Sequence, residues 1–149
     1  MVRLSVKKCI GIMSAALLVS MLAACGGSTG NAAKQEPPTP PDLTGEWKQT
    51  NSSSEDAWQS AEIADDTIEV YWVSDNGETK ALYWAGTYTA PTTADEPYTW
   101  QSQNDKDKTG TALLASGDDE KKFSYADGVL SYEVSAMGVT QTVKLEKEK

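Results

Sequence analysis

From residue 43 onward the chain alternates apolar and polar residues, and Asn-Gly, Asp-Gly and Asp-Asp pairs break the alternation at short intervals. Successive side chains of a strand point to opposite faces, so a period of two marks strands with one buried face, and no helical period of useful length competes with it. Leu43 to Thr50, Ala57 to Ile63, Thr67 to Val73, Ala81 to Tyr88 and Tyr98 to Asn104 read as strands, followed by three more between Lys121 and Lys149. The segment from Asp105 to Lys121 is ambiguous, with "TALLAS" a short strand or a single helical turn. Eight strands joined by short connections predict an all-β, antiparallel up-and-down meander, closed into a barrel or folded as two sheets.

The turns set the pairing. A two-residue turn at Asn76-Gly77 would place Trp72 opposite Ala81 and turn Leu82 and Trp84 away from it. A three-residue Asp75-Asn76-Gly77 loop with a left-handed Gly77 gathers Ile68, Val70, Trp72, Leu82 and Trp84 on one face, and that register is expected. An Asp127-Gly128 turn pairs Tyr125 with Leu130 and Phe123 with Tyr132, and sets Lys122 against Glu133 on the other side. The last hairpin, around residues 135–138, is expected to bring Val134 to Val139 and Leu130 to Val143.

Residues 1–24 differ from all of this. Their only charges are Arg3, Lys7 and Lys8, after which an uncharged, mostly apolar run extends from Cys9 to Ala24. A basic start and a short apolar stretch have the form of an export signal. Sixteen residues diluted by Gly11, Ser14 and Ser20 fall short of the roughly 20 that a membrane-spanning helix needs, so an uncleaved helix is the weaker reading. The stretch Leu22-Ala23-Ala24-Cys25 resembles the lipobox of bacterial lipoproteins. That resemblance implies cleavage between Ala24 and Cys25, a diacylglycerol on the Cys25 thiol as the one covalent group, further acylation such as palmitate, and an extracytoplasmic, lipid-anchored location at the cell membrane. Two acyl chains hold a protein stably in a bilayer, whereas one does so only marginally.

Between anchor and strands lies "GGSTGNAAKQEPPTPPD", a flexible Gly/Ser stretch followed by a stiffer polyproline spacer. Fully extended, it reaches roughly 55–60 Å. The expected organisation is a signal peptide at 1–24, a lipidated tether at 25–42 and one β domain at 43–149.

Composition then removes whole mechanisms. Without the signal segment, ten basic residues face 22 acidic ones, a net charge of −12, which disfavours nucleic acid and anionic headgroups as partners. The remaining chain has no His, no Arg and no Cys other than Cys25. It offers no Ser-His-Asp or Cys-His relay, no thiolate or imidazole zinc site and no guanidinium fork. The domain must also hold together without a disulfide, for which five Trp and six Tyr, all beyond residue 46, supply buried area.

The opening "DLTGEWKQT", with Gly45-Glu46-Trp47 on the first strand, resembles the start of lipocalin and avidin-like barrels. The resemblance implies that Trp47 lies across a closed barrel end and that the open end holds a small hydrophobic ligand. Those lipocalins cover the Trp with an Arg; here Lys144 on the last strand is the candidate cation, a point charge without a stacking plane.

Trp47, Trp72, Trp84 and Trp100 are candidates for lining a pocket, against the alternative that they form the core. Tyr71, Tyr83 and Trp58 are expected to form an exposed aromatic patch on the opposite face, a contact surface. In "NDKDKTG", Asp105, Asp107 and Thr109 have the alternate spacing of a calcium loop, but Ser116 stands where the bidentate Glu belongs. No carboxylate pair is singled out for acid/base chemistry, so no enzyme is expected. The sequence points to a membrane-anchored surface lipoprotein with a small β-barrel binding domain, its partner not named by the sequence: an envelope protein or a small hydrophobic ligand. A lipocalin-like carrier and an envelope-structural or phage superinfection-exclusion lipoprotein are the alternatives.

Overall fold

The computed structural model describes residues 37–136 and 138–149; the expected signal peptide, Ala24, Cys25 and most of the expected tether lie outside them. Eight antiparallel strands form a nearly closed up-and-down barrel: β1 (Gly45–Gln49), β2 (Trp58–Ala64), β3 (Thr67–Ser74), β4 (Thr79–Thr87), β5 (Tyr98–Gln103), β6 (Glu120–Ala126), β7 (Val129–Ala136) and β8 (Val139–Lys147). The pairing order is β4-β3-β2-β1-β8-β7-β6-β5, so two four-stranded meanders join where the first strand meets the last. Trp47 pairs with Lys147 and Gln49 with Leu145 along that junction. No described helix is long and apolar enough to cross a membrane.

The β4–β5 seam has a single bridge, Gly86 with Asn104. The rest of the β4 edge is covered by residues 105–119, which include one helical turn, α1 (Lys106–Thr109). The amide of Asp105 donates to the Ala85 carbonyl (2.8 Å) and that of Ser116 to the Tyr83 carbonyl (2.7 Å). An edge strand that would otherwise offer free backbone groups is thereby blunted. "TALLAS" forms no strand: the Ala112 and Ala115 amides close local turns, and that of Ser116 serves this cover.

The Asp127-Gly128 hairpin has the expected register, Tyr125 with Leu130 and Phe123 with Tyr132. Its ladder stops there, and β6 and β7 part before Lys122 and Glu133 can pair. The last hairpin is shifted by two residues from expectation: Ala136 pairs with Val139, Val134 with Gln141 and Leu130 with Leu145. A shift of two preserves the faces, so Leu130, Tyr132, Val134, Val143 and Leu145 all point inward as the alternation requires.

The β3–β4 pairing corrects the expected register. Ser74 meets Thr79 across a four-residue connection, and Trp72 pairs with Ala81, the arrangement that seemed to strand Trp84 outside. A bulge between Val70 and Tyr71 resolves the conflict by leaving Tyr83 without an opposite partner. Val70 then pairs with Trp84, and the consecutive residues Tyr83 and Trp84 are both buried.

Inside, six aromatic rings form a continuous series from one end of the barrel to the other. Tyr98 stacks on Trp100 (5.7 Å), Trp100 on Phe123 (5.2 Å), Phe123 meets Tyr132 (5.1 Å), Tyr132 meets Tyr83 (6.3 Å) and Tyr83 meets Trp72 edge-on (5.3 Å). Trp47 is buried toward the end where β1 begins, its Nε1 donating to the Leu43 carbonyl (2.9 Å) and its ring meeting Tyr125 edge-on (6.1 Å). Lys144 is exposed on the outer face, opposite Ser131. Lys147 is the cation across from Trp47, and its ammonium donates to the Asp42 carbonyl.

Candidate functional site

The candidate site is the barrel end opposite Trp47, bounded by residues 50–57, the β3–β4 connection, residues 110–119 and the β7–β8 turn. Trp72 stands in this mouth. Of the large apolar side chains on β3 it alone is exposed, at 38 %, although its register with the buried Gln59 and with Ala81 places it on the inward row. Clefts of about 520 Å³ and 530 Å³ share it as a wall.

The first cleft passes over the rim beneath residues 51–54. The β1–β2 ladder ends at Lys48 and Ser60, and Gln49 then uses its side chain to continue it, accepting from the Gln59 amide (2.8 Å). Asn51 ties the departing chain to β8: its amide donates to the Thr142 carbonyl (2.8 Å) and its side-chain oxygen accepts from the Lys144 amide (3.0 Å). Gln49 also donates to that oxygen (3.2 Å). Trp58 walls the outer end of the cleft, one face covered by the Lys48 ammonium at 4.1 Å from the ring centre.

The second cleft lies between Trp72, Tyr83, Val134 and residues 114–118. Below it is a lysine that belongs to the inward row of β6: Lys121 is 6 % exposed, and its ammonium sits 5.2 Å from the ring centres of both Tyr83 and Trp84. It pairs with the Asp118 carboxylate at 3.0 Å. The Ser116 hydroxyl (2.7 Å) and then the Lys121 ammonium hold the Asp118 carboxyl below its ordinary range. Asn104 and Lys106 donate to the Asp118 carbonyl, so this segment is fastened at several points. Leu113, at 96 % exposure, and Leu114 project from it into solvent.

Deeper in the mouth, the Tyr132 hydroxyl donates to the Gln59 side-chain carbonyl, while Gln59 Nε2 has no partner among the described residues. Burial, and then the neighbouring Tyr83, raise the Tyr132 hydroxyl well above its ordinary value.

The predicted aromatic groups are therefore redistributed. Trp47, Trp84 and Trp100 are core. Tyr83, expected outside, is buried by the bulge, and Trp72, expected inside with Leu82, reaches the mouth; Leu82 is half-buried beside Tyr71 on the opposite row. Tyr71 is also half-buried, and its hydroxyl donates to the Glu69 carboxylate, which Lys108 also engages. Lys108 and Tyr71 together hold the Glu69 carboxyl down, and burial, followed by Glu69, raises the Tyr71 hydroxyl. The Trp58, Tyr71 and Tyr83 patch thus does not exist as one surface.

Asp105 is not arranged for calcium. Its carboxylate caps α1, accepting from the Asp107 amide (3.1 Å) and the Lys108 amide (3.3 Å), while the Thr109 hydroxyl is buried against Asn104 and the Asp105 carbonyl. Among the described residues no three carboxylates come together as a metal site. Two mouth residues escaped sequence reasoning, Gln59 and Lys121. Parity was the available signal, since Gln59 alternates with Ala61 and Ile63, and Lys121 with Phe123.

No family model matches the chain, and neither a curated protein nor a solved structure matches it significantly.

Proposed function

We propose that the chain is a bacterial lipoprotein, anchored through acyl groups on Cys25 at the extracytoplasmic face of the cell membrane, whose barrel is a binding module with its mouth as the site. The observation that carries the reading is Trp72. Exposing a large indole at the centre of a concave, preorganised rim costs stability that burial would have supplied, about 2 kcal/mol on an area basis. An exposed aromatic between two clefts is a common arrangement at recognition sites.

Binding is favoured over catalysis because, of the two carboxylates that line the second cleft, Asp118 is committed to Lys121, which leaves Glu133 without a second free carboxylate beside it there. A carrier of a hydrophobic molecule deep within the barrel is less supported, because the series from Tyr98 to Trp72 occupies the interior.

Two measurements test the two halves. Wild-type protein should incorporate labelled palmitate and Cys25→Ser should not; equal incorporation, or none in the wild type, removes the lipid anchor at Cys25. Covalent capture through a photoreactive residue at position 72 should depend on the intact mouth. Equal capture from a control position such as Lys144, on the outer wall, would remove the mouth as the site.

A further inference from the structure

We propose that the cleft between Trp58 and Trp72 binds a neutral carbohydrate, a sugar unit of an uncharged glycan. This rests on the mouth being the binding site, and names what the site takes.

Nearly a quarter of the residues in the chain are charged, and four further clefts on the described residues each carry at least two charged side chains. The cleft of about 520 Å³ has none. A charged ligand would leave its water here for no opposing charge in the lining, the Lys48 ammonium being engaged on a face of Trp58, and burial of an unpaired charge is strongly unfavourable. Charged peptides, nucleotides and phosphorylated compounds are therefore poor occupants.

Polarity excludes the opposite extreme. Besides the two indoles, the lining is dominated by side-chain amides and hydroxyls: Gln49, Asn51, Ser53, Gln141 and Thr142 among them. A purely apolar ligand would desolvate these groups without replacing their hydrogen bonds. The ligand that fits must be uncharged, rich in hydroxyls and able to cover an aromatic face.

A pyranose ring has those properties. Its hydroxyls lie around the periphery, and its axial C–H bonds make an apolar face that packs on the negative face of an aromatic ring. Trp72 is the platform, exposed at 38 % and braced by Tyr83 edge-on. Trp58, with Lys48 over one face, forms the end wall. Gln49 and Asn51 are fixed by their bonds to the Gln59 amide and to β8, so the amides are oriented before the ligand arrives. Ser53, Gln141 and Thr142 enter no side-chain hydrogen bond among the described residues and are available for sugar hydroxyls. The volume lies within the roughly 300–1,000 Å³ usual for small-ligand sites.

The test uses the full-length protein in detergent, titrated by tryptophan fluorescence and calorimetry with neutral oligosaccharides of glucose, galactose, mannose and N-acetylglucosamine. Parallel arms use an anionic oligosaccharide, a long-chain fatty acid and an acidic peptide. At least one neutral sugar should bind. Trp72→Ala should weaken it by tenfold or more, and Gln141→Ala and Thr142→Ala by about threefold to tenfold with unchanged melting temperatures. Binding confined to the charged or apolar arms, but still dependent on Trp72, overturns the carbohydrate assignment and leaves the mouth as the site. Ligand binding that is insensitive to Trp72 overturns both. Failure of every neutral sugar to bind overturns the carbohydrate assignment alone.

Discussion

The Tyr132 hydroxyl on β7 donates to the side-chain carbonyl of Gln59 on β2, a contact 73 residues apart in the chain that crosses the barrel interior. Both residues are buried, and Gln59 Nε2 lacks a partner among the described residues. A buried polar group left alone costs about 1–3 kcal/mol, whereas replacing both partners by apolar groups of similar shape is close to neutral. Tyr132→Phe should therefore lose about 2 kcal/mol, because it leaves the Gln59 side chain with no partner among the described residues. Gln59→Leu should lose about 1–2 kcal/mol by orphaning the hydroxyl. The double variant should return to within about 1 kcal/mol of wild type, since it removes the unpaired Nε2 as well. Urea unfolding of the four proteins measures this; additive losses would mean that the pair is not coupled.

The same tyrosine, together with Tyr71, Tyr88 and Tyr98, makes stability fall at alkaline pH. The ordinary tyrosine value is 10.0, burial raises Tyr132 well above it, and burial followed by Tyr98 pushes Tyr88 up to about 12. The sign follows from proton counts: above pH 10 the unfolded chain releases these protons while the folded chain keeps them. Stability is thus whole below pH 10 and falls as pH rises toward the folded-state values. Each retained proton contributes a slope of about 1.4 kcal/mol per pH unit. Urea midpoints of wild type should fall more steeply from pH 10 to 12 than those of Tyr132→Phe, although the variant is the less stable at pH 7. Parallel slopes would show that Tyr132 ionises normally.

Lys121 and Asp118 are an unequal pair. The lysine is buried beneath the two rings and the aspartate side chain is 62 % exposed. Asp118→Ala leaves a buried ammonium with only the Tyr83 and Trp84 faces for compensation, and should cost about 1–2 kcal/mol after allowance for solvent at the carboxylate. Lys121→Met keeps the apolar stem and removes the charge, and should stay within about 1 kcal/mol of wild type. Acid probes the same contact: the Asp118 carboxyl is depressed, so its contribution is present above its ordinary 3.8 and is lost as pH falls through the lower folded-state value. Thermal unfolding from pH 6 to pH 2 should show that loss in wild type and a shallower one in Lys121→Met. A larger loss from Lys121→Met than from Asp118→Ala at pH 7 would reverse this account.

The strands were legible in the sequence because each has one buried face, and the Phe123–Tyr132 register because Asp127-Gly128 closes its hairpin without irregularity. Tyr83 shows where legibility ends. A bulge adds one residue to one strand, and an alternating pattern has no symbol for two consecutive inward side chains. The four buried residues Tyr83 to Gly86 are its trace. Gln59 and Lys121 were hidden for a different reason, since residue type argued outward while parity argued inward, and parity prevailed. The cleft beside Trp72 depends on Asn51 reaching the Thr142 carbonyl, 91 residues away, a contact that no local pattern encodes.

Gly86 tests how the barrel is closed. It carries the only β4–β5 bridge among the described residues, and a Cβ there would lie 2.4 Å from the Gln103 carbonyl oxygen, 2.4 Å from Ser102 Oγ and 2.8 Å from Trp84 Nε1. Backbone on one side and the buried Trp84–Ser102 hydrogen bond (3.0 Å) on the other leave no soft direction in which to yield. Gly86→Ala should therefore cost about 3 kcal/mol, the upper part of the range for overpacking, and lower the melting temperature by about 10 °C or more. Gly117→Ala is the control, because its added Cβ meets nothing within 4 Å and should change stability by no more than about 0.5 kcal/mol. Hydrogen exchange locates the damage. In Gly86→Ala the amides of Asp105 and Ser116, which bond to the Ala85 and Tyr83 carbonyls, should exchange faster, while those of the β1–β8 junction stay protected. A Gly86→Ala protein as stable as the control would mean that the seam is looser than the close approach of β5 to Gly86 implies, and that the β1–β8 junction and the 105–119 segment hold the barrel without it.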